Sequence, residues 1–132
     1  MKQNKLEELV LYQLSMELGE SIWDIVVKWD FLAKDTVGKQ IIRSSDSIAA
    51  NIAEGYGRFH YKENKQFCYY SRGSVLETKT WLKKANQRKL ITDEQHSLFL
   101  LKLETIHFKL NAYIKSIGKI IASENAAITN SQ

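Results

Sequence analysis

A wholly polar stripe is the most distinctive group of residues that could do chemistry. Between residues 40 and 58, polar side chains recur every three or four positions, at Gln40, Arg43, Ser47, Asn51, Glu54 and Arg58. This spacing puts them on one face of an α-helix. These residue types make directed hydrogen bonds, whereas an ordinary solvated face mixes Lys and Glu freely. Ser74 and Glu77, on the next segment, are predicted to pair with the stripe.

Three interpretations of the polar stripe stay open. The first is a partly buried structural seam, with an Arg43–Glu77 ion pair, that fixes helix register or a subunit interface. The second is a contact with a ligand or with RNA, and the third is a plain solvated face. The directed hydrogen-bonding types favour the seam.

Two basic clusters could bind phosphate groups. The first lies near the end of the predicted third helix and consists of Lys79, Lys83, Lys84, Arg88 and Lys89. The second, at the opposite end of that helix, combines Arg58, Lys62 and Lys65 with aromatic neighbours on which bases could stack. Cations at a helix C-terminus are also favoured by the helix dipole, and aromatic residues at a turn often cap a core. Phosphate binding and solvated helix ends both fit the two clusters.

The pattern of nucleophiles and metal ligands argues against catalysis. His60, His96 and His107 are scattered, and none stands four residues from another or from Cys68, so no metal site is expected. Cys68 falls beside an apolar stripe and is predicted to be a buried thiol. Residues 55–58 lack the lysine and hydroxyl of a phosphate loop. We therefore predict no catalytic residue, no metal, no cofactor and no enzymatic activity.

Apolar spacing of three and four residues predicts an all-α protein with four helices, at about 6–29, 31–56, 61–88 and 93–121. Short connections between them indicate an up-down-up-down four-helix bundle over residues 1–122, followed by a disordered tail over residues 123–132. Asp30 is predicted to cap the second helix, and Thr92 with Gln95 forms a capping box before the fourth.

The sequence predicts a structural role for each of four glycines. Gly55 and Gly57 are predicted to end the second helix through left-handed backbone conformations. Gly38 is expected to mark an irregular turn before the regular part of that helix. Gly73, inside the third helix, is expected to allow close packing against the second helix.

Composition and charge limit the class of protein. The chain has 132 residues, 44% apolar residues, no proline and a single cysteine, which fits one helical domain in a reducing cytoplasm. No apolar run is long enough to span a membrane. Residues 34–89 contain 12 Lys or Arg and 5 Asp or Glu, whereas residues 1–30 contain 3 and 6. The chain thus places a basic hairpin beside an acidic helix.

Two motifs carry a family resemblance. SIAANIAEGYGR at residues 47–58 and GSVLET at residues 73–78 resemble motifs of the bacterial four helix bundle protein family. Members of this family were first noticed as reading frames inside intervening sequences of large-subunit ribosomal RNA. The likeness runs from about residue 9 to about residue 121. More distantly, the family resembles the accessory protein of diversity-generating retroelements, a basic pentamer that binds a reverse transcriptase and nucleic acid.

The resemblance implies a ring-shaped homo-oligomer, a pentamer. A second apolar face on the first helix, made of Tyr12, Met16, Trp23 and Val27, indicates either a subunit contact or a bulky lateral flank of the core. Together these features predict a cytoplasmic, non-enzymatic protein that associates with RNA or DNA through basic surfaces, or that acts as an adaptor for a protein partner. The alternative is a structural protein–protein scaffold without a nucleic-acid role. A third, minor interpretation is a protein that binds a small ligand in the centre of the bundle.

Overall fold

The protein is all-helical, as predicted. The computed structural model describes residues 6–131, with side chains up to Thr129, and contains no strand in that range. We number the helices α1 (Val10–Val26), α2 (Phe31–Ala33), α3 (Lys39–Tyr56), α4 (Tyr61–Gln87) and α5 (Asp93–Ser131). A π-helical segment, Lys34–Gly38, joins α2 to α3. Between residues 6 and 131, no helix combines the length and the apolar character needed to cross a membrane.

The first predicted helix, 6–29, is shorter and interrupted. Residues 6–8 form a helical turn, and Leu9 is extended, so α1 begins at Val10. After Val26 the backbone tightens, because Lys28 and Trp29 donate to the carbonyls of Ile25 and Val26, three residues back. The predicted boundaries at 6 and 29 are therefore wrong.

The second predicted helix, 31–56, is built from three consecutive segments. Asp30 caps its start as predicted, because its Oδ1 accepts from the Ala33 amide at 2.9 Å. The chain then passes through the π-helical segment, in which the hydrogen bonds reach one residue further than in an α-helix. The irregular stretch expected at Gly38 is thus a π-helical turn, and the regular helix starts only at Lys39.

Neighbouring helices run antiparallel. On the α3–α4 pair, Ser71 contacts Ile48 and Thr78 contacts Ser44, so sequence position rises on one helix as it falls on the other. The same relationship joins α4 to α5, and α1 packs against both α3 and α5. Ile41, Ile48 and Ile52 of α3 are fully buried, which confirms their predicted apolar stripe. The core therefore lies along the common axis of α1, α3, α4 and α5.

The capping box predicted before the last helix is confirmed. Gln95 Oε1 accepts from the Thr92 amide at 2.9 Å, and Thr92 Oγ1 accepts from the Gln95 amide at 3.1 Å. α5 continues past its predicted end at 121, although every side chain from Ala122 to Thr129 is exposed. The sequence predicted a disordered tail over residues 123–132; residues 123–131 are helical here, and Gln132 lies outside the described residues.

α3 ends beside Gly55 and Gly57 as predicted, but without the left-handed backbone conformations expected there. No described glycine has a positive φ, and Gly57 at the end of α3 has φ −77° and ψ −7°. Gly55 is instead needed for close approach, since a Cβ there would lie 2.9 Å from Phe67 Cβ on α4. Gly73 faces open space, where an added Cβ would meet no atom within 4 Å, so its predicted packing role is wrong.

Candidate nucleic-acid interface

The candidate interface is built on α4, which is packed on two sides and open on the others. Its buried residues, among them Cys68, Val75 and Leu82, face the core between α3 and α5. Ser71 and Thr78 bind α3, and Asn64 and Arg72 bind α5. This anchoring fixes the helix along its length, so the outward side chains stand at defined positions.

A continuous stripe of mostly basic residues runs along the outer side of α4. Its members recur at intervals of three and four residues, and none is buried: Lys62, Lys65, Tyr69, Arg72, Leu76, Lys79 and Lys83. We call this stripe the α4 ridge. At about 1.5 Å per residue it extends for roughly 32 Å. It joins the two basic clusters, predicted from the sequence to lie at opposite ends of the helix, into one surface.

Tyr69 lies at the centre of the α4 ridge between two cations. The Arg72 guanidinium carbon is 5.0 Å from the Tyr69 ring centroid, and Lys65 Nζ is 6.0 Å from it. Arg72 also donates to Asn111 Oδ1 of α5 at 2.9 Å, which orients its guanidinium group. Arg72 and Tyr69 were missed as site residues, although the regular spacing from Lys62 to Lys83 was available in the sequence.

The cations of the α4 ridge have no acidic partners. Among residues 6–131 the ion pairs are Lys39–Asp35, Arg58–Glu54 and Arg58–Glu63, none of which involves the ridge. The pKa of His107, on α5, is lowered by burial and further by the nearby charges of Lys79 and Arg72. The ridge therefore presents positive charges that no ion pair neutralises within residues 6–131, and such charges attract phosphate groups.

The remaining predicted basic residues extend the α4 ridge at both ends. At the α4 C-terminus, Lys84, Arg88 and Lys89 are all exposed. Lys89 has a left-handed backbone conformation with φ 61°. At the other end, Arg58 lies 4.7 Å above the Phe67 ring and is partly neutralised by Glu54 at 3.3 Å. Arg58 is therefore a weaker candidate for phosphate binding than Lys62 or Lys65.

The polar stripe of α3 makes local hydrogen bonds. Ser47 Oγ donates to the Arg43 carbonyl, and Asn51 Nδ2 donates to the Ser47 carbonyl. On α4, Ser74 donates to the Tyr70 carbonyl. Within the described residues Arg43 and Glu77 form no ion pair, and Glu77 instead accepts from Trp81 Nε1 at 3.3 Å. Gln40 and Asn51 are half-buried, while Arg43 and Glu54 are exposed.

The polar contacts between α3 and α4 come from smaller, buried residues. Ser71 Oγ donates to the Ile48 carbonyl at 2.8 Å, and Thr78 Oγ1 lies 2.9 Å from Ser44 Oγ. All three hydroxyl groups are buried. This set was missed at the sequence level because serine and threonine in an apolar stripe are indistinguishable from small packing residues.

Cys68 is fully buried, as predicted. Burial raises the pKa of its thiol to about 12, and its Sγ lies 3.7 Å from Asn64 Oδ1. A thiol with so high a pKa is a poor nucleophile because the reactive form is the thiolate. In the part of the chain that the structure describes, no three His, Cys, Asp or Glu side chains are grouped closely enough to hold a metal ion.

Comparison with known proteins places this fold in a family. A family model described as 23S rRNA-intervening sequence protein matches residues 7–112, a range that begins just before α1 and ends within α5. The chain belongs to the 23S rRNA-intervening sequence protein family. No match was found among curated proteins.

A solved structure is similar to this member of the 23S rRNA-intervening sequence protein family. It is a 1.70 Å crystal structure of a protein with unknown function from the S23 ribosomal protein family of Bacteroides thetaiotaomicron VPI-5482. The two sequences are 27% identical, the match covers 87% of this chain and 99% of that chain, and the TM-score is 0.72. Family membership thus accounts for the fold and leaves the role of the α4 ridge to be argued from its residues.

Proposed function

We propose that this protein is a non-enzymatic, cytoplasmic nucleic-acid-associated protein that binds phosphate backbones along the α4 ridge. The observation that carries the proposal is the row of five unpaired cations, Lys62, Lys65, Arg72, Lys79 and Lys83, on one rigid helix. Because α4 is fixed on two sides, these charges can meet an anionic strand without reordering the backbone. The 23S rRNA-intervening sequence family name is compatible with RNA as the partner.

The α4 ridge also has groups suited to unpaired bases. Tyr69 is accessible between Lys65 and Arg72, and an aromatic ring flanked by cations is a common platform for base stacking. Phe59, at the turn before α4, is 85% exposed and lies edge-on to the His60 ring. Phosphate contacts from the ridge lysines and stacking on Tyr69 together favour RNA with single-stranded segments over uniform duplex.

We interpret the fold as an up-down-up-down four-helix bundle, in which α2, the π-helical segment and α3 together form one of the four long helices. We also propose that the bundle self-associates as a ring, with the pentamer implied by the family resemblance as the specific expectation. The exposed apolar residues Met16 and Trp23 of α1, and Val27 directly after it, support self-association, since large apolar side chains gain from being covered. The mass in solution, measured by light scattering, tests the subunit number.

A structural protein–protein scaffold is the second candidate function. It is favoured by the same exposed apolar residues, which fit a protein partner better than a phosphate backbone. The two functions differ in their salt dependence, because release of counterions from phosphate groups makes nucleic-acid binding fall steeply with salt, whereas apolar docking changes little.

Fluorescence anisotropy of a structured RNA, titrated with the protein at two salt concentrations, tests the proposal. For five phosphate contacts, we expect affinity to fall roughly 100- to 500-fold between about 50 and about 200 mM salt. A variant with Lys65→Gln, Arg72→Gln and Lys79→Gln should bind weakly and fall only roughly 10-fold over the same range.

The matched control carries Lys28→Gln, Lys34→Gln and Lys119→Gln, which remove the same charge from exposed positions outside the α4 ridge. It should keep most of the affinity and the salt dependence. Equal weakening of the two triple variants would mean that net charge and not the ridge drives binding. No binding at about 50 mM salt would refute the nucleic-acid function and leave the scaffold.

A further inference from the structure

An open groove lies between α1 and α3, and none of its lining residues belongs to the α4 ridge. Its floor is formed by small residues of α3, Ala49, Ala50 and Ala53, and its wall by Tyr12 and Met16 of α1. The groove has a volume of about 280 Å³. Small floor residues allow a helix from outside to approach the α3 backbone closely, so the groove is shaped for side chains that project from another helix.

The groove is acidic as well as apolar. Asp46 and Glu20 line it, and neither forms an ion pair within residues 6–131. The Asp46 carboxylate lies against α1 at Gly19: a Cβ added to Gly19 would be only 2.7 Å from Asp46 Oδ1. Burial raises the pKa of Asp46, and the neighbouring Glu20 charge raises it further. A cation brought into this groove would relieve the repulsion between the two carboxylates.

A complementary surface lies on the outside of α5. Its residues recur at intervals of three and four and are all exposed: Leu98, Leu101, Thr105, Phe108 and Ala112. We call this row the α5 stripe. Leu98, Leu101 and Phe108 are 60%, 62% and 77% exposed, which is unusual for such large apolar side chains. Lys102 and Lys109 directly follow Leu101 and Phe108, so one flank of the apolar α5 stripe is basic, while Glu104 lies on the other flank.

We propose that the α5 stripe of one copy of this chain docks in the α1–α3 groove of a second copy, with Lys102 or Lys109 pairing with Asp46 and Glu20. The proposal rests on the self-association suggested above and specifies its surfaces. The groove covers roughly 12 Å of α1, from Tyr12 to Glu20, and the exposed Trp23 and Val27 prolong the apolar surface beyond it to roughly 23 Å, close to the roughly 21 Å of the stripe. They also match in charge, and the large stripe residues fit the small groove floor.

This contact joins two different patches, so each copy uses both its groove and its stripe. Such a heterologous contact repeats from copy to copy and closes into a ring when the rotation permits, or otherwise grows as a filament. The α4 ridge takes no part in it. The ridge and the stripe are neighbours on each subunit, since Arg72 of the ridge bonds to Asn111 beside the stripe.

The test uses two variants that each block one surface. Phe108→Glu places a charge in the α5 stripe, and Ala50→Glu fills the groove floor; both positions are exposed, so folding should be unaffected. Leu101→Glu is a second stripe variant if Phe108→Glu unfolds the protein. Phe59→Glu, at an exposed aromatic residue outside both surfaces, is the control. Native mass spectrometry and light scattering measure the assembly.

Each blocking variant alone should reduce the assembly to a monomer of 15.3 kDa. An equimolar mixture of the two should form a one-to-one dimer, because the variant with an intact groove still meets the variant with an intact stripe. Phe59→Glu should assemble like the wild type. A mixture that stays monomeric, or an assembly that either variant leaves unchanged, would overturn the docking proposal alone. A wild-type protein that is monomeric at high concentration would overturn self-association as a whole.

Discussion

Gly55 of α3 and Asn64 of α4 approach so closely that a Cβ at position 55 would lie 2.7 Å from Asn64 Oδ1 and 2.9 Å from the Asn64 carbonyl oxygen. This contact sets the distance between the two helices next to the turn that joins them. Asn64 is buried and donates to the Tyr113 hydroxyl group on α5 at 3.2 Å, so it cannot simply move away. The absence of a side chain at Gly55 therefore helps to set the relative positions of α3, α4 and α5.

Gly55→Ala should destabilise the protein by about 1–3 kcal/mol, the usual cost of forcing an extra carbon into a packed site. The measurement is the free energy of unfolding from denaturant titration. Gly73→Ala is the matched control, because it lies in the middle of a helix with open space around it. Alanine is the better helix former, so Gly73→Ala should stabilise by about 0.5–1 kcal/mol. Two changes of the same sign would contradict the packing account.

The buried hydroxyl pair Ser44–Thr78 should contribute a measurable coupling energy across the α3–α4 contact. In a double-mutant cycle with Ser44→Ala and Thr78→Val, we expect a coupling of about 1 kcal/mol in the free energy of unfolding. Thr80→Val replaces Thr78→Val in the control cycle, since the Thr80 hydroxyl group is exposed and bonds only to the Leu76 carbonyl. A coupling near zero for Ser44–Thr78 would mean that the two hydroxyl groups act independently.

The buried thiol of Cys68 should make stability fall at alkaline pH. Its pKa rises from 9.0 to about 12 on folding, so between these values the unfolded chain releases a proton that the folded chain keeps. Deprotonation thus favours the unfolded state, and the contribution of the protonated thiol is full below pH 9 and lost as pH rises toward 12. The difference in unfolding free energy between wild type and Cys68→Ala should shrink from about pH 8 to about pH 10.5. A constant difference would refute this coupling.

His107 offers a readout of nucleic acid on the α4 ridge. Its pKa is lowered by burial, with further contributions from Lys79 and Arg72. Phosphate groups bound to those two residues would offset their charge, so the pKa of His107 should rise when RNA is added. The imidazole proton shifts of His107 in an NMR titration with and without RNA measure it. An unchanged pKa at saturating RNA would place the bound strand elsewhere.

Much of the helical framework could be predicted because its signals are local. The Thr92–Gln95 capping box and the Asp30 cap depend on residues three apart, and both formed as expected. The isoleucines of α3 follow helical spacing and are buried. Local signals did not reveal the break at Leu9 or the π-helical segment, because both depend on how the chain must turn to pack against the other helices.

Predictions that required a specific partner were less successful. Gly55 and Gly73 are the same residue type within helices, yet one is in tight contact and the other faces open space. Only the tertiary structure separates them. The same limit explains why Arg43 was paired with Glu77, whereas Glu77 accepts from Trp81 on its own helix. Long side chains have several partners in reach, and spacing alone does not choose among them.

The sequence predicted the two basic clusters of the candidate site but not the residues that connect them. All five cations of the C-terminal cluster and the lysines near the start of α4 were identified from the sequence. Arg72 and Tyr69, which connect them, were treated as ordinary helix residues. Both residues belong to the candidate site because one side of α4 is exposed. Which side is exposed depends on how α3 and α5 pack against the helix, and the sequence alone does not show this.

Lys89, two residues beyond the end of α4, is the last cation of the C-terminal cluster, and its left-handed backbone conformation disfavours most residues with a Cβ. Its φ of 61° costs lysine about 1–2 kcal/mol, whereas glycine adopts it freely. Lys89→Gly should therefore raise the unfolding free energy by about 1 kcal/mol, while lowering RNA affinity and the salt slope by about one phosphate contact. A variant that melts later and binds as tightly as the wild type would show that the charge is dispensable.

Under the proposed function, stability and RNA affinity favour different residues at position 89. A chain optimised only to resist heat would exchange the lysine for glycine, and a chain optimised to hold an anion would keep it. We therefore expect glycine at position 89 more often in relatives that do not bind nucleic acid than in relatives that do.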